Sequence, residues 1–260
     1  MGPNNKTIIK KNTICKAEGG LRLKNVIKES QPGKPLISVI TVVYNGVGHI
    51  EKTIKSVLCQ KYENYEFIII DGMSNDGSLD IIKKYDDKID LWLSESDNGI
   101  YHAMNKGLDL ARGDYIFFLG SDDILITIPE NSLRSVGLLL CNIYCGEWLF
   151  RHPHKKLLSK RMKYRNNIHP QGTFYKRTPI RYNTRYRLCA DYLFNLEYLS
   201  TGMDIGYSDC IASRFSVDGA SSKWGAKREI INIAHEYNGT FSMIKSLVYH
   251  LYSHLRSYKF

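Results

Sequence analysis

Apolar residues in the first half of the chain alternate between strand-like runs and segments with helical spacing. Residues 36–44, LISVITVVY, form a nearly continuous β-branched run, which is typical of a strand buried on both faces. The next segment, HIEKTIKSVLCQ, repeats apolar residues at helical spacing. Because this succession recurs, the pattern predicts an α/β layer architecture around a parallel sheet. Further strands are predicted at 65–70, 89–95 and 114–120, and further helices at LDIIKKY and at NGIYHAMNKGLDLA, the latter ended by Gly113.

The apolar pattern weakens after residue 130. It predicts strands at 141–150 and 172–176 and a helix at about 190–200. The tail FSMIKSLVYHLYSHLRSYKF carries apolar residues on one helical face and basic residues around it, which predicts an amphipathic basic helix. The apolar residues of that face are Ile244, Leu247, Val248, Leu251 and Leu255.

The net charge and its distribution along the chain indicate which classes of partner the protein could bind. The 260 residues suit one large domain or two intimate halves, and Lys plus Arg exceed Asp plus Glu by 36 to 26, a formal charge of +10. Such an excess suits nucleic acid, an anionic membrane surface or a phosphate-bearing substrate. The excess lies mainly in 151–187 and in the tail, whereas the acidic residues cluster between 63 and 130. Carboxylates at the predicted ligand edge oppose a phosphate backbone, so we expect no nucleic-acid partner.

The chain shows no signal-peptide core in its first twenty residues and no apolar stretch long enough to span a bilayer. We therefore expect a cytoplasmic protein. Six cysteines without a CxxC pair are expected to be free thiols rather than a zinc site. They are Cys15, Cys59, Cys141, Cys145, Cys189 and Cys210.

Three predicted strands end on polar residues. These strand ends are Asp71, the segment 95–97 and the pair Asp122 and Asp123 in FLGSDD. In an open parallel sheet such ends converge at the carboxyl edge, where ligands bind. Two adjacent carboxylates suit Mg²⁺ or Mn²⁺, which combine protein carboxylates with phosphate oxygens and water. The alternative is a solvated loop or a helix N-cap.

Three segments in this order carry a resemblance to a known family: PLISVITVVYN, SVLCQKYENYEFIIIDGMSNDGS and SESDNGIYHAMNKGLDLARGDYIFFLGSDD. Together they resemble glycosyltransferase family 2, inverting enzymes of the GT-A fold. The resemblance implies a Rossmann-like α/β/α catalytic domain in two abutting halves. It is strongest to the bacterial branch that builds O-antigens, capsules and exopolysaccharides on lipid-linked intermediates.

The resemblance also implies roles for individual donor-side residues. Tyr44 and Asn45 would lie against the nucleobase, and Asp71 would accept a hydrogen bond from the uracil imide. The metal-binding aspartate of the DXD motif maps to Asp122 or Asp123. The family often has an acid where this chain has Gly120, which puts the strictness of the metal requirement in doubt. Asp97, Asn105 and Lys106 would line the donor pocket, with Lys106 charged for a diphosphate.

On the acceptor side, Asp191 in CADYLFNLEYL resembles the family's general base, and its alternative is a helix N-cap. His169 in IHPQGTFYKR matches a histidine of many relatives that would contact diphosphate or acceptor; its alternative is a structural role. Ser221 and Trp224 in VDGASSKWG fit either a lid over the donor or an ordinary surface loop.

We therefore expect an inverting enzyme that moves a hexose or N-acetylhexosamine from a UDP-sugar to an acceptor on a lipid diphosphate, with Mn²⁺ or Mg²⁺. The alternative is a nucleotide-sugar binding protein or a nucleotidyltransferase, although no GxGxxG or GxxxxGK[ST] loop occurs. The tail is a solvated helix, a partner-binding helix or an interfacial helix on the inner membrane. The expected divisions are an N-terminal extension packed on the surface at 1–35, a donor half at 36–125, an acceptor half at 126–222 and a helical tail at 223–260.

Overall fold

A computed structural model describes residues 15–133, 136–152, 158, 160–215 and 224–257. Its centre is a ten-stranded sheet with the order β1-β4-β3-β2-β5-β9-β7-β10-β6, and β8 pairs with β7. The strands are β1 Cys15–Gly19, β2 Ile37–Val43, β3 Tyr65–Asp71, β4 Leu91–Glu95, β5 Tyr115–Gly120, β6 Ile124–Leu125, β7 Leu138–Cys145, β8 Trp148–Phe150, β9 Thr173–Lys176 and β10 Ile205–Phe215. The helices are α1 Ile50–Leu58, α2 Ser78–Lys84, α3 Ile100–Leu110, α4 Ala190–Ser200, α5 Trp224–Asn238 and α6 Thr240–Ser257.

The parallel part of the sheet consists of β4, β3, β2 and β5 in that order. Every residue of β2 and β3 is buried, as the continuous apolar runs predicted. From β2 the chain leads to β3 on one side, whereas β5 pairs with β2 on the other. The carboxyl ends of β2 and β5 therefore flank the switch point of the sheet, where open α/β sheets bind ligands.

The second half extends the same sheet with mostly antiparallel pairs. β9 pairs with β5 and β7, and an aromatic cluster packs behind them against α4. Phe194 of α4 stacks on Tyr182 with ring centroids 4.2 Å apart. The cluster comprises Phe118, Tyr175, Tyr182, Phe194 and Tyr198.

Several elements differ from the predictions, and strands β1 and β6 were not predicted. The single strand predicted at 141–150 is a hairpin, because Gly146 adopts a left-handed φ of 57° between β7 and β8. Helix α3 ends at Leu110 rather than at Gly113, since Ala111 is already extended. β10 was not predicted, because irregular register between Ser208 and Ser213 breaks its alternation. The helical tail predicted at 223–260 contains two helices, α5 and α6, separated by Gly239 with a φ of 81°.

The segment before β2 contributes a strand to the sheet, in addition to packing on the surface of the domain. β1 pairs antiparallel with β4, which makes it the edge strand. Arg22 forms an ion pair with Glu66, a carboxylate only 1% exposed on β3. Glu66 also accepts hydrogen bonds from Ser38 Oγ and from the backbone of Arg112. These bonds tie residues 15–24 to the core of the donor half.

Candidate functional site

The loops after β2 and β3 bind each other through a network of short hydrogen bonds. The backbone N–H of Asn45 donates to Ser74 Oγ at 2.8 Å, and Asn45 Oδ1 accepts from the N–H of Asn75 at 3.0 Å. Gly46 donates to Ser78 Oγ at 2.9 Å. Asn45 has a φ of 52°, a left-handed conformation that asparagine tolerates well. The two loops therefore form one rigid wall at the carboxyl edge of the sheet.

Asp71 ends β3 with its side chain almost fully buried, at 1% exposure. Its carboxylate accepts a hydrogen bond from Ser94 Oγ at 2.6 Å and weaker ones from the backbone N–H of Ser74 at 3.2 and 3.3 Å. Met73 is held in the left-handed region with a φ of 62°, which allows the chain to turn back to Ser74. The carboxylate predicted to bind uracil therefore already accepts hydrogen bonds from the protein itself.

Tyr44, Gly72 and Asp97 lie close together just outside that wall. A Cβ on Gly72 would come within 2.6 Å of Asp97 Oδ2 and 3.3 Å of the Tyr44 ring. The Tyr44 residue is 68% exposed, which leaves the side chain accessible. An exposed aromatic ring at a sheet edge is a surface on which a nucleobase can stack. Asp97 Oδ1 accepts from the N–H of Gly99 at 2.8 Å and so fixes the entry to α3.

Asn105 and Lys106 on α3 bind protein groups. Lys106 Nζ lies 2.6 Å from Glu95 Oε1 and donates to Ser96 O at 2.7 Å. Asn105 exchanges two hydrogen bonds of 2.8 Å with the backbone of Tyr182, one in each direction. Asn105 therefore joins α3 to the chain before α4, across the boundary between the two halves.

Asp122 and Asp123 differ sharply in their surroundings. Asp123 is 3% exposed, and its Oδ2 accepts from the N–H of Gly120 at 2.9 Å. Asp122 is exposed. A Cβ on Gly120 would lie only 2.5 Å from Asp123 Oδ2 and 3.1 Å from Asp122 Oδ1. Glycine at position 120 thus gives both carboxyl groups the room that a side chain would take.

These carboxylates suit a divalent cation that is held largely by its substrate. Mg²⁺ typically takes one or two protein carboxylates and completes its shell with phosphate oxygens and water. Within the described residues no group of three or more His, Cys, Asp and Glu side chains forms a ready-made cage. Exposed Asp122 is the ligand that this arrangement offers, whereas Asp123 Oδ2 serves the turn after β5.

Asp191 is the second residue of α4, whose N-cap is Cys189. The N-cap position considered for Asp191 from the sequence is therefore wrong. Asp191 Oδ2 accepts from Asn166 Nδ2 at 2.7 Å, and Oδ1 lies 3.1 Å from the Tyr101 hydroxyl. That hydroxyl also lies 2.9 Å from Leu188 O, so it donates its single proton to one of the two.

The electrostatics of Asp191 suit proton transfer near neutral pH. Burial raises the pKa of Asp191 to about 6, although the hydrogen bonds from Tyr101 and Asn166 lower it. Burial raises the pKa of Tyr101 far above its usual range, which keeps its phenol protonated. A carboxylate with this pKa is mostly ionised at pH 7 yet still basic enough to take a proton.

A cavity of about 420 Å³ opens beside Tyr101. Gly99 at its rim has a φ of 112°, a conformation that favours glycine. The volume lies within the range of small-ligand sites. Tyr101 lines the cavity and also lies within hydrogen-bond distance of Asp191, which itself is not a lining residue. Its lining residues are Asn98, Gly99, Ile100, Tyr101, His102, Thr184, Tyr186 and Arg187.

His169 lies in a small aromatic cluster. Its ring centroid is 4.5 Å from that of Phe150, 5.9 Å from that of Phe215 and 6.2 Å from that of His152. Burial lowers the pKa of His169 to about 4, and burial together with His169 lowers that of His152 to about 4. Both rings are therefore neutral at pH 7, so a contact from His169 to diphosphate would be a neutral hydrogen bond.

Most of the predicted lid lies outside the residues that the structure describes. Ser221 lies outside the described residues, and Trp224 is the first residue of α5, with its side chain undescribed. Phe215 ends β10, and residues 216–223 lie outside the described residues. The lid therefore stays a prediction.

Sequence reasoning missed the two partners of Asp191. Tyr101 lies four residues before Asn105 on α3, so both side chains reach the segment before α4 from one helical face. The four-residue spacing of Tyr101 and Asn105 in the predicted helix could have identified Tyr101 from the sequence. Asn166 precedes the histidine segment, and nothing in its local pattern distinguishes it from the other polar residues there. Only the packing of α4 brings it to Asp191.

The sheet order, the polar loops at the switch point and the carboxylate of α4 define a GT-A type α/β domain. Glycosyl transferase family 2 is the family whose model matches residues 38–127. A PGL/p-HBAD biosynthesis glycosyltransferase of Mycobacterium bovis (strain BCG / Pasteur 1173P2) is 30% identical over 182 residues, covering 64% of this chain and 70% of the relative. The chain belongs to glycosyl transferase family 2, as the sequence predicted.

A second relative is similar over a shorter length. The putative teichuronic acid biosynthesis glycosyltransferase TuaG of Bacillus subtilis (strain 168) is 45% identical over 93 residues. That alignment covers 35% of this chain and 37% of TuaG. The chain thus spans little more than a third of this relative.

Solved structures confirm the fold. S. aureus TarS 1-349 in complex with UDP-GlcNAc superposes with a TM-score of 0.61 at 19% identity, covering 76% of this chain and 64% of TarS 1-349. The mannosyltransferase PcManGT of Pyrobaculum calidifontis, in complex with GDP-Man and Mn²⁺, has a TM-score of 0.53 at 16% identity, with 89% and 67% coverage. The predicted GT-A fold is therefore confirmed. Among the helices of the described segments, none has the length and hydropathy to span a bilayer.

Proposed function

We propose that this protein is an inverting glycosyltransferase that uses a UDP-sugar and a carbohydrate acceptor carried on a lipid diphosphate. The observation that carries the proposal is the Asp191 carboxylate, whose pKa burial raises to about 6 and which Asn166 and Tyr101 hold in place. Tyr101 also lines a cavity. Tyr101 belongs to α3, the helix whose entry Asp97 fixes at the donor edge. One helix thus connects the donor loops to the base.

The transfer is a single displacement. The acceptor hydroxyl loses its proton to the Asp191 carboxylate as its oxygen forms a bond to the anomeric carbon. The bond from that carbon to the diphosphate breaks, and UDP leaves with the electron pair. Because attack and departure occur on opposite faces, the anomeric configuration inverts. Asn166 and Tyr101 keep the carboxylate oriented throughout, which is the positioning that a general base requires.

On the donor side, Tyr44 stacks the nucleobase and Asp71 receives the uracil imide in place of the weak bonds from the N–H of Ser74. The preference for uridine is supported by the UDP and UDP-GlcNAc complexes of the structural neighbour TarS. A divalent cation bound by Asp122 would offset the charge of the departing diphosphate. Lys106 forms an ion pair with buried Glu95 and so compensates its charge.

Surface polysaccharide assembly is the proposed setting. It is supported by the name of the relative TuaG, which refers to teichuronic acid biosynthesis. The donor sugar is proposed as a hexose or N-acetylhexosamine, and TarS was crystallised with a donor of the second kind.

The test is a panel of UDP-hexoses and UDP-N-acetylhexosamines, each incubated with Mn²⁺ or Mg²⁺ and with or without a lipid diphosphate sugar. We expect UDP release that depends on the acceptor and is lost in Asp191→Asn. Asp87→Asn is the matched control, because Asp87 is exposed beyond α2. Release of pyrophosphate from UTP and a sugar phosphate would instead identify a nucleotidyltransferase and overturn the proposal.

A further inference from the structure

Helix α6 packs polar side chains against the protein and exposes apolar side chains to solvent. The face turned toward the protein carries Ser242, Ser246 and His250, which are 6%, 0% and 9% exposed. Ser246 Oγ lies in this interface without a hydrogen-bond partner. The opposite face exposes a stripe of large apolar residues: Phe241, Ile244, Leu247, Val248 and Leu251.

The exposure of this apolar stripe is large. Phe241 is 70% exposed and Val248 is 59% exposed. The stripe recurs at intervals of three and four residues and extends over roughly 15 Å of helix. An amphipathic helix in a water-soluble setting buries such a face, because exposed apolar area costs about 25 cal/mol per Å². A contiguous apolar patch of this kind marks an interaction surface.

The surroundings of the stripe are strongly basic. The sequence has no Asp or Glu between 237 and 260, and Arg165 lies 4.4 Å from the centroid of the Tyr249 ring on α6. A cavity of about 260 Å³ adjoins the start of the stripe, since Phe241 lines it together with Lys160, Lys163 and Lys245. Lys245 Nζ also lies 4.4 Å from the centroid of the Phe241 ring.

We propose that α6 is an interfacial helix that docks the protein on an anionic lipid bilayer. The apolar stripe enters the boundary between headgroups and acyl chains, and Lys160, Lys163 and Lys245 lie against the headgroup phosphates. A large apolar face flanked by cationic side chains is what such helices require. A second copy of this chain fits less well, because it would place one lysine-rich face against another.

The docked helix is connected to the acceptor half. α5 packs against α6, and Glu229 of α5 accepts hydrogen bonds of 2.9–3.0 Å from three successive backbone N–H groups. Those groups belong to Arg187, Leu188 and Cys189, immediately before α4 and Asp191. Membrane docking would therefore hold the acceptor half at the surface where a lipid-linked substrate resides.

The test is sedimentation of the full chain with vesicles of phosphatidylcholine alone or mixed with phosphatidylglycerol. We expect binding only to the anionic vesicles and a decrease as salt is raised. Ile244→Gln with Val248→Gln should weaken binding at least about tenfold. Lys160→Gln with Lys163→Gln should weaken it about fivefold per lysine.

The matched control is Leu23→Gln with Val26→Gln, a pair 53% and 47% exposed on the N-terminal segment. This variant should bind vesicles as the unaltered chain does. Equal pelleting with neutral and anionic vesicles, or equal binding by the control and the α6 variant, would overturn the proposal. So would a concentration-dependent dimer by light scattering that the α6 variant abolishes, because the stripe would then be covered by a second copy. Circular dichroism checks that each variant is folded.

Discussion

Asp71 and Glu66 of the donor half differ from Asp191 of the acceptor half in how their burial is compensated. Asp71 accepts hydrogen bonds from Ser94 and Ser74, and Glu66 forms an ion pair with Arg22. The hydrogen bonds to Asp191 offset its burial only in part, and burial raises its pKa. A matched carboxylate builds a rigid wall, whereas an incompletely compensated one retains basicity. The difference separates a binding surface from a reacting group.

Among the proposed variants, Asp191→Asn should have the largest effect on catalysis, because it removes the carboxylate that distinguishes the acceptor half. We expect kcat/KM to fall about 10²–10⁴-fold, because the general base is removed while the fold stays intact. The unaltered enzyme should lose activity on acidification with an apparent pKa near 6. A pH profile of kcat/KM measures both effects. Activity that persists unchanged in Asp191→Asn would remove the base from its proposed role.

Stability provides an independent readout of the same residue. Burial raises the folded-state pKa of Asp191 above its usual value of 3.8, so ionisation opposes folding as pH rises through about 4 to 6. The difference in Tm between Asp191→Asn and the unaltered chain should therefore become more positive from pH 4 to pH 7. Thermal melts at several pH values measure it, and a constant difference would contradict the assigned burial.

Asp122→Asn and Asp123→Asn sharpen the contrast within the donor half. We expect Asp122→Asn to lower kcat about 10²–10³-fold with little change in Tm, since an exposed carboxylate is lost from the diphosphate site. Asp123→Asn should lower stability by about 1–3 kcal/mol, because Asp123 Oδ2 holds the N–H of Gly120. Initial rates against Mn²⁺ concentration and thermal melts separate the two. Equal effects on rate would mean that both carboxylates bind the metal.

Tyr101→Phe tests how the acceptor half positions its base. The hydrogen bond from Tyr101 lowers the pKa of Asp191, so its loss should move the acidic limb of the pH profile upward from about 6. We expect kcat to fall about tenfold, the order of one hydrogen bond to a charged group. Tyr186→Phe is the control, because Tyr186 lines the same cavity but donates to Glu236. An upward shift of the same size in the control would show that Tyr101 has no particular role.

Met73→Gly is expected to have the smallest effect. Met73 has a φ of 62° in the rigid donor wall, and a left-handed non-glycine residue costs roughly 1–2 kcal/mol. Glycine should relieve that strain and raise Tm by about 2–4 °C. Met73→Ala keeps a Cβ and should give no such gain. A lower Tm in Met73→Gly would show that the methionine side chain contributes more than its backbone costs.

The order of elements in the donor half was predictable because local pattern and tertiary role agree there. Runs such as 36–44 are apolar throughout because both faces of a central parallel strand are covered. The later half was harder to predict, since the irregular register of β10 and the hairpin turn at Gly146 leave weak periodic signals. The start of α4 was nevertheless placed correctly, and with it Asp191.

The sequence by itself determined the parallel α/β core, the family and the set of polar strand ends, because these depend on periodicity and on short ordered motifs. Tertiary structure alone decided which polar groups remain available for chemistry. It turned Asp123 toward the N–H of Gly120 while leaving Asp122 exposed, and it brought Asn166 to Asp191. It also placed the apolar face of α6 outward. Burial and hydrogen bonding are properties of the packed chain, so no local pattern could assign them.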